Sequence, residues 1–260
     1  ISVPQTYRPV IEECNEVQPY FQPCTCDGSE VNTEEATTTE PSNPFVAVGK
    51  MDLNVLDVTG PEAVVDWVVV ELRDEDNDKV VVKAITALET RDGEVVSEEG
   101  DSILYFPGLP EGNYYVTIRH RNHLGMMTDV PFYLSTENVP LIDFTDVSLP
   151  VRGGTGAGRM NNGERTMWAG DFNEDGKVIF QGPFNDVFTL FSRVLSDESN
   201  GDILANYIVT GYELQDYNLD GKVIYQGPFN DKAPMLYNSI LSHPANNALL
   251  ANYIVKGTLP

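Results

Sequence analysis

Basic residues are scarce in this chain, where 16 Lys and Arg stand against 40 Asp and Glu for a formal net charge of −24. Nucleic-acid binding needs clustered Lys and Arg to displace counterions, so this imbalance excludes it, and it disfavours anionic membrane surfaces for the same reason. Long apolar runs are also missing: no stretch approaches the ~20 residues that cross a bilayer, which predicts no membrane span. Cysteine is confined to Cys14, Cys24 and Cys26. That is too sparse for a disulfide scaffold but fits one bridge in an oxidising compartment, with one thiol left to pair with another chain or to stay free. The spacing lacks the fourth ligand of a zinc site. Of three histidines, only His120 and His123 are close in sequence. They lack the i, i+4 helical spacing and the glutamate of a zinc hydrolase, so RHRNHLG reads as an exposed turn at a strand end. No G-x-S-x-G elbow occurs. Tryptophan is limited to Trp67, in a buried-looking strand, and Trp168, beside an acidic loop, so neither offers a sugar platform. No residue is nominated for catalysis, and the expectation is a protein that is not an enzyme.

What is present describes a folded, strand-rich protein. The chain has 260 residues, enough for two domains with separate cores, and 41% of them are hydrophobic, punctuated by 21 Gly and 17 Pro. Helix is expected to be the minority. The first residue is Ile1 rather than Met, which predicts removal of a leader and an exported, extracellular location.

Four segments follow from composition. Residues 1–44 form an extended N-terminal arm, with a short strand-like run at Tyr7–Ile11, and a Thr/Glu/Pro linker, VNTEEATTTEPSNP. Residues 45–150 carry strand after strand: VAVGKMDLNVL, DWVVVELRD, KVVVKAITALE, SILYF, NYYVTIRH and VPFYL, separated by turn chemistry about every ten residues. This is the pattern of an antiparallel β-sandwich. Residues 151–169 are a Gly-rich connector without the strand-to-helix context of a phosphate cradle. Residues 170–260 are an internal repeat, with copies at 170–214 and 215–260.

In the repeat, DFNEDGKVIFQGPFND at 171–186 matches DYNLDGKVIYQGPFND at 216–231. Oxygen-bearing side chains at alternate positions followed by glycine are how a short loop wraps a hard cation. The twelfth position, where a closing carboxylate belongs, is Gly182 in the first copy. A four-residue insert moves that carboxylate downstream, to Asp186 and Asp231. The predicted ligands are thus Asp171, Asn173, Asp175, the Lys177 carbonyl and Asp186 for one Ca²⁺. For a second Ca²⁺ they are Asp216, Asn218, Asp220, the Lys222 carbonyl and Asp231. Three converging oxygen side chains without a cation would repel one another strongly. Within the insert, Asn185 and Asn230 either supply a further oxygen or merely carry the chain across. Helical apolar spacing follows each loop (Val187, Phe188, Leu190, Phe191, Val194, Leu195; and Met235, Leu236, Ile240, Leu241), and Tyr207–Ile208 and Tyr253–Ile254 are expected on a second helix of each unit.

These loops resemble the calcium loops of dockerin modules, from which the four-residue insert is a departure. SILYFPGLPEGNYYVTIRH resembles the strand, turn and strand of prealbumin-like stalk modules. Over residues 66–260, stretches such as ALETRDGEVV, NYYVTIRHRNHLGMMT, WAGDFNEDGKV and YQGPFND are similar to C-terminal regions of large secreted, surface or adhesin-like proteins of Gram-negative environmental bacteria. The resemblance implies export and two calcium sites, and it implies no reaction. Together with the cysteine-bearing arm it yields the expectation of a calcium-stabilised structural or adhesive surface protein whose partners are copies of itself, assembled into a filament. The alternative is a dockerin-like or carbohydrate-binding module that anchors a partner protein or a surface glycan.

Overall fold

The computed structural model describes residues 53–260; Cys14, Cys24 and Cys26, the arm and the linker lie outside the described residues. Strand outweighs helix by 29% to 13%, and every ladder is antiparallel, so the fold is mainly β.

The first half is built on one six-stranded sheet in the order β3-β2-β1-β4-β6, with β7 also paired to β4. Its strands are β1 (Val64–Asp74), β2 (Val81–Thr90), β3 (Val95–Val96), β4 (Gly112–His120), β6 (Met126–Met127) and β7 (Phe132–Leu134), while β5 (His123–Leu124) lies outside the sheet. The central strand β1 is buried from Val68 to Arg73, where β2 and β4 pair with its two edges and packed side chains cover its faces. Its β-branched run suits that position. The two charges inside it are paired, Arg73 Nη2 standing 2.6 Å from Glu71 Oε2 and Arg119 Nη1 3.3 Å from Glu71 Oε1. Val68, Val70 and Leu72 pack with Ala87, Tyr114 and Val116 on one face; Leu88 and Val96 pack with Val55 on the other.

One expected strand is absent among the described residues. SILYF shows strand-like alternation, with Leu104 and Phe106 packed inward and Ile103 and Tyr105 exposed, yet it is a loop laid across the sheet. Alternation is a property of one segment, but a strand also needs a neighbour's backbone. Most of VAVGKMDLNVL lies outside the described residues; where they begin, Leu53–Asp57 form a 3-10 helix. Among the described residues the large sheet is covered by loop segments such as these and by Ile142 and Phe144, not by a second large sheet.

The Gly-rich connector contains a hairpin of β8 (Arg159–Asn161) and β9 (Glu164–Thr166). Arg165 in this hairpin is buried and donates to the carbonyls of Phe144, Val147 and Leu149. β10 (Trp168–Ala169) pairs with β5 and carries the chain into the repeat.

In the repeat region each loop ends in a short strand, β11 (Lys177–Ile179) and β13 (Lys222–Ile224), followed by a helical segment: α1 (Asp186–Ser196), or α2 (Lys232–Pro234) continuing as a π-helical turn, Met235–Ile240. The second helix expected in each unit does not form. Ile208 and Ile254 instead begin strands β12 (Ile208–Thr210) and β14 (Ile254–Lys256). The pairing is reciprocal: β12 of the first copy pairs β13 of the second, and β14 of the second pairs β11 of the first. Three-residue strands need a partner ladder, and each copy's partner is its twin. One core holds both copies, with Val178, Leu190, Val194 and Val209 packed with Val223, Met235, Ile240 and Val255, and with Leu124, Trp168 and Phe172. Phe188, placed on the apolar face of α1 by its spacing, is 65% exposed.

Candidate metal centre

The two acidic loops have one geometry built twice. Asp171 accepts the N–H groups of Asp175 (3.1 Å) and Gly176 (3.0 Å), and Asp216 accepts those of Asp220 (3.2 Å) and Gly221 (2.8 Å). Gly176 and Gly221 have φ of 74° and 80°, which glycine adopts at no steric cost and which folds the loop back on its first carboxylate. Glu174 and Leu219 share a left-handed backbone, φ 59° and 57°, although their side chains differ. Asn173 and Asn218 also accept the N–H groups of Asp175 and Asp220, at 3.1 and 2.9 Å.

The downstream carboxylates return to the loops across the insert. Asp186 accepts from Phe172 N and Ile179 N, both at 2.8 Å. Asp231 accepts from Tyr217 N at 2.9 Å and Ile224 N at 2.7 Å. Asp186 and Asp231 are fully buried, and Asp171 and Asp216 nearly so. Burial pushes Asp171, Asp186 and Asp231 up to about 7 and Asp216 to about 6, despite the backbone N–H groups that favour ionisation. Within each loop the neighbouring carboxylates add repulsion, Asp171 acting on Asp186 and Asp216 on Asp231. Such pairs fit a hard divalent cation, which offsets both the desolvation and the repulsion.

The third carboxylate sits at the rim. Asp175 is exposed, with Oδ2 3.3 Å from Lys177 Nζ. Among the described residues no three His, Cys, Asp or Glu side chains gather at one point, so each loop offers two inward carboxylates and one at its edge. Asn185 and Asn230 are occupied elsewhere. Their amide oxygens cap the following helical segments, accepting from Phe188 N (2.8 Å) and Ala233 N (3.1 Å), while their amide nitrogens donate to the carbonyls of Gly182 and Gly227.

Residues without a distinctive sequence signal hold the loops in place. The segment RHRNHLG is not an exposed turn: His120, Arg121 and Asn122 are buried. The carbonyl of Asn122 accepts from Gly170 N (2.8 Å) and Asp171 N (3.2 Å) at the mouth of the first loop. Its side-chain amide donates to the carbonyls of Leu214 (3.0 Å) and Asp216 (2.8 Å) at the mouth of the second. Arg121 donates to the Glu213 carbonyl and to Asp66 (3.2 Å), with its guanidinium 4.2 Å from the Tyr212 ring centroid. Burial alone would raise the Asp66 carboxyl, but the charges of His120 and Arg121 and the Tyr212 hydroxyl hold it well below the usual carboxylate range. His123 faces His120 with their Nδ1 atoms 2.7 Å apart, and burial depresses it well below an ordinary imidazole. Two further amides recur at one offset. Asn200 and Asn246 are buried and donate to the carbonyls of Val194 and Leu204, and of Ile240 and Leu250. They were visible in the repeat alignment only as isolated identities in a divergent stretch.

Comparison with protein-family models, curated proteins and solved structures finds no match to this chain.

Proposed function

We propose that this chain is a secreted, calcium-stabilised structural or adhesive surface protein that assembles with copies of itself through its N-terminal arm into an extracellular filament, and that it has no catalytic role. The observation that carries the calcium part is the duplicated burial of paired aspartates, Asp171 with Asp186 and Asp216 with Asp231, in loops whose backbone N–H groups orient them identically. Two buried, mutually repelling carboxylates are costly to a fold unless a cation joins them. Asp175, Asn173 and the Lys177 carbonyl complete one set, and Asp220, Asn218 and the Lys222 carbonyl the other, as in a dockerin-type loop with a lengthened closure. Calcium bound there supplies no chemistry; it ties each loop to the helical segment that begins at its closing aspartate. Titration calorimetry on chelator-stripped protein tests this, with two equivalents of Ca²⁺ expected. Absence of heat and of any thermal shift at millimolar Ca²⁺ would remove the reading.

A second reading, a module that anchors a glycan or partner protein, draws on Phe184 and Phe229. Each is about 85% exposed, on the same turn of its copy, with left-handed backbones of φ 56° and 59°. That conformation is strained for an aromatic residue. Gly182 and Pro183 beside Phe184 line a pocket of about 350 Å³ with Ile179, Gln181, Asn252 and Ile254. Retardation in gels containing neutral polysaccharides, lost in a Phe184→Ala/Phe229→Ala double variant, would favour it over assembly.

A further inference from the structure

The six-stranded sheet has an unequal pair of edges. On one side β4 is covered by β7 at Gly112–Tyr114 and by β6 at Thr117–Ile118. On the other, β3 covers β2 only at Leu88 and Glu89, and Glu98 reaches the Thr86 hydroxyl. From Val81 to Ile85 the outer side of β2 has no partner strand among the described residues. Natural sheets blunt such edges with charge, proline or a bulge. This one has a register irregularity at Val82, between the pairs Leu72–Lys83 and Arg73–Val81, yet Val80, Val81 and Val82 stand 45%, 42% and 36% exposed in succession.

We propose that this free edge of β2, Val81 to Ile85, receives the Tyr7–Ile11 segment of a second copy of the chain as an added strand. The inference rests on the self-assembly reading and names its acceptor surface. Three features favour this occupant. Lys79 and Lys83 put two of the chain's 16 basic residues at the edge, and the donor run leads directly into Glu12, Glu13 and Glu16. Pro9 lies within the donor run, and proline is tolerated only where its missing N–H faces away from the ladder. As the new outermost strand the segment satisfies that condition, and Pro9 then blocks addition of a further strand. Finally, 52 residues precede Leu53, where the described fold begins. Their 14-residue Thr/Glu/Pro stretch, 31–44, favours extended conformations and at about 3.1 Å per residue reaches about 43 Å. Val55 anchors the start of the fold against Leu88 and Val96, the far end of β2 from Val81. That reach is enough to span to the edge of a neighbouring copy. One donor and one acceptor per subunit on different surfaces give a head-to-tail contact that propagates as a fibre.

The test uses the full chain. Unlabelled and ¹⁵N-labelled protein are mixed one to one, assembled with Ca²⁺, pelleted and treated with a zero-length carbodiimide reagent, which joins carboxylates to amines in direct contact. The expected products link Glu12 or Glu13 to Lys79 or Lys83, with about half of them pairing a light peptide with a heavy one. Links found only as light–light and heavy–heavy pairs would mean the segment folds onto its own edge, and would overturn the proposal. Pelleted assemblies without these links would overturn it while leaving the filament reading intact, and failure to pellet under any Ca²⁺ concentration would remove both. Lys83→Glu provides a second measure: the critical concentration for assembly is expected to rise at least 10-fold with the melting temperature unchanged, and an unchanged critical concentration would count against the edge.

Discussion

Asp175 separates metal binding from folding more cleanly than the buried aspartates do, or than Asp220, which is half-buried and accepts the Lys222 N–H at 3.0 Å. Asp186 accepts two backbone N–H groups with its two oxygens, so replacing it with asparagine turns an amide NH₂ toward a donor and damages the fold directly. Asp175 is exposed, and its side chain pairs only with Lys177 across 3.3 Å, a contact of little energetic weight at a surface. Asp175→Asn is therefore expected to leave the chelated protein within about 0.5 kcal/mol of the parent, while calorimetry shows one of two calcium affinities reduced 10-fold or more. The buried carboxylates make a separate prediction about pH. With folded values near 7 for Asp171, Asp186 and Asp231, against 3.8 for an ordinary aspartate, the metal-free fold binds extra protons between about pH 4 and 7. The contribution of these aspartates to stability is thus highest at the acidic end of that window and is lost as the pH rises toward 7; depressed His123 contributes with the opposite sign but is common to the metal-free and calcium-bound forms. Bound calcium reverses the sign by favouring the ionised forms. The gain in melting temperature on adding Ca²⁺ is expected to grow from pH 5 to pH 8, measured by scanning calorimetry. Asp66, whose carboxyl is depressed, contributes stability that is lost only below about pH 4 and so does not mask the effect.

Among the elements, the turn between β4 and β5 links the sheet to the two acidic loops. Asn122→Ala removes the amide donor shared by the Leu214 and Asp216 carbonyls but keeps the backbone carbonyl that holds the first loop. It is expected to cost about 1–3 kcal/mol and to weaken calcium at the second loop more than at the first, which titration in the Asp175→Asn background resolves. Much of the element content was legible in the sequence: β1, β2 and β4 from dense β-branched runs between turns, and α1 from an apolar spacing that begins just after Asn185. The failures share one cause. SILYF alternates like a strand, and Tyr207–Ile208 and Tyr253–Ile254 suit a helix by position in the repeat, yet whether a short run becomes a strand depends on whether another backbone lies alongside. The loop at 102–106 has none, whereas β12 and β14 find theirs in the opposite copy of the repeat.

For the whole molecule, the two halves keep separate cores. The sheet's clusters centre on Val70 and Leu88, and the repeat's on Val178, Val223 and Met235. Calcium is bound only by the second half in the proposed reading, so chelation is expected to open residues 170–260 to proteolysis before residues 64–134, with cleavage sites mapped by mass spectrometry. In the same reading two Ca²⁺ would offset four of the 24 excess negative charges, and the metal-free protein is expected to gain more from monovalent salt than the loaded one, read as the slope of melting temperature against salt concentration. The sequence by itself determined the acidic surface, the mainly-β character and the duplication of the loops with their downstream aspartates, because composition, β-branched density and self-similarity are properties of the chain alone. Only the tertiary structure decided that β11 pairs β14 and β12 pairs β13, that Asn122 bridges both loops, and that Arg121 and His120 are buried around Asp66. These depend on groups up to 94 residues apart in the chain meeting in space, and no local pattern encodes such a meeting.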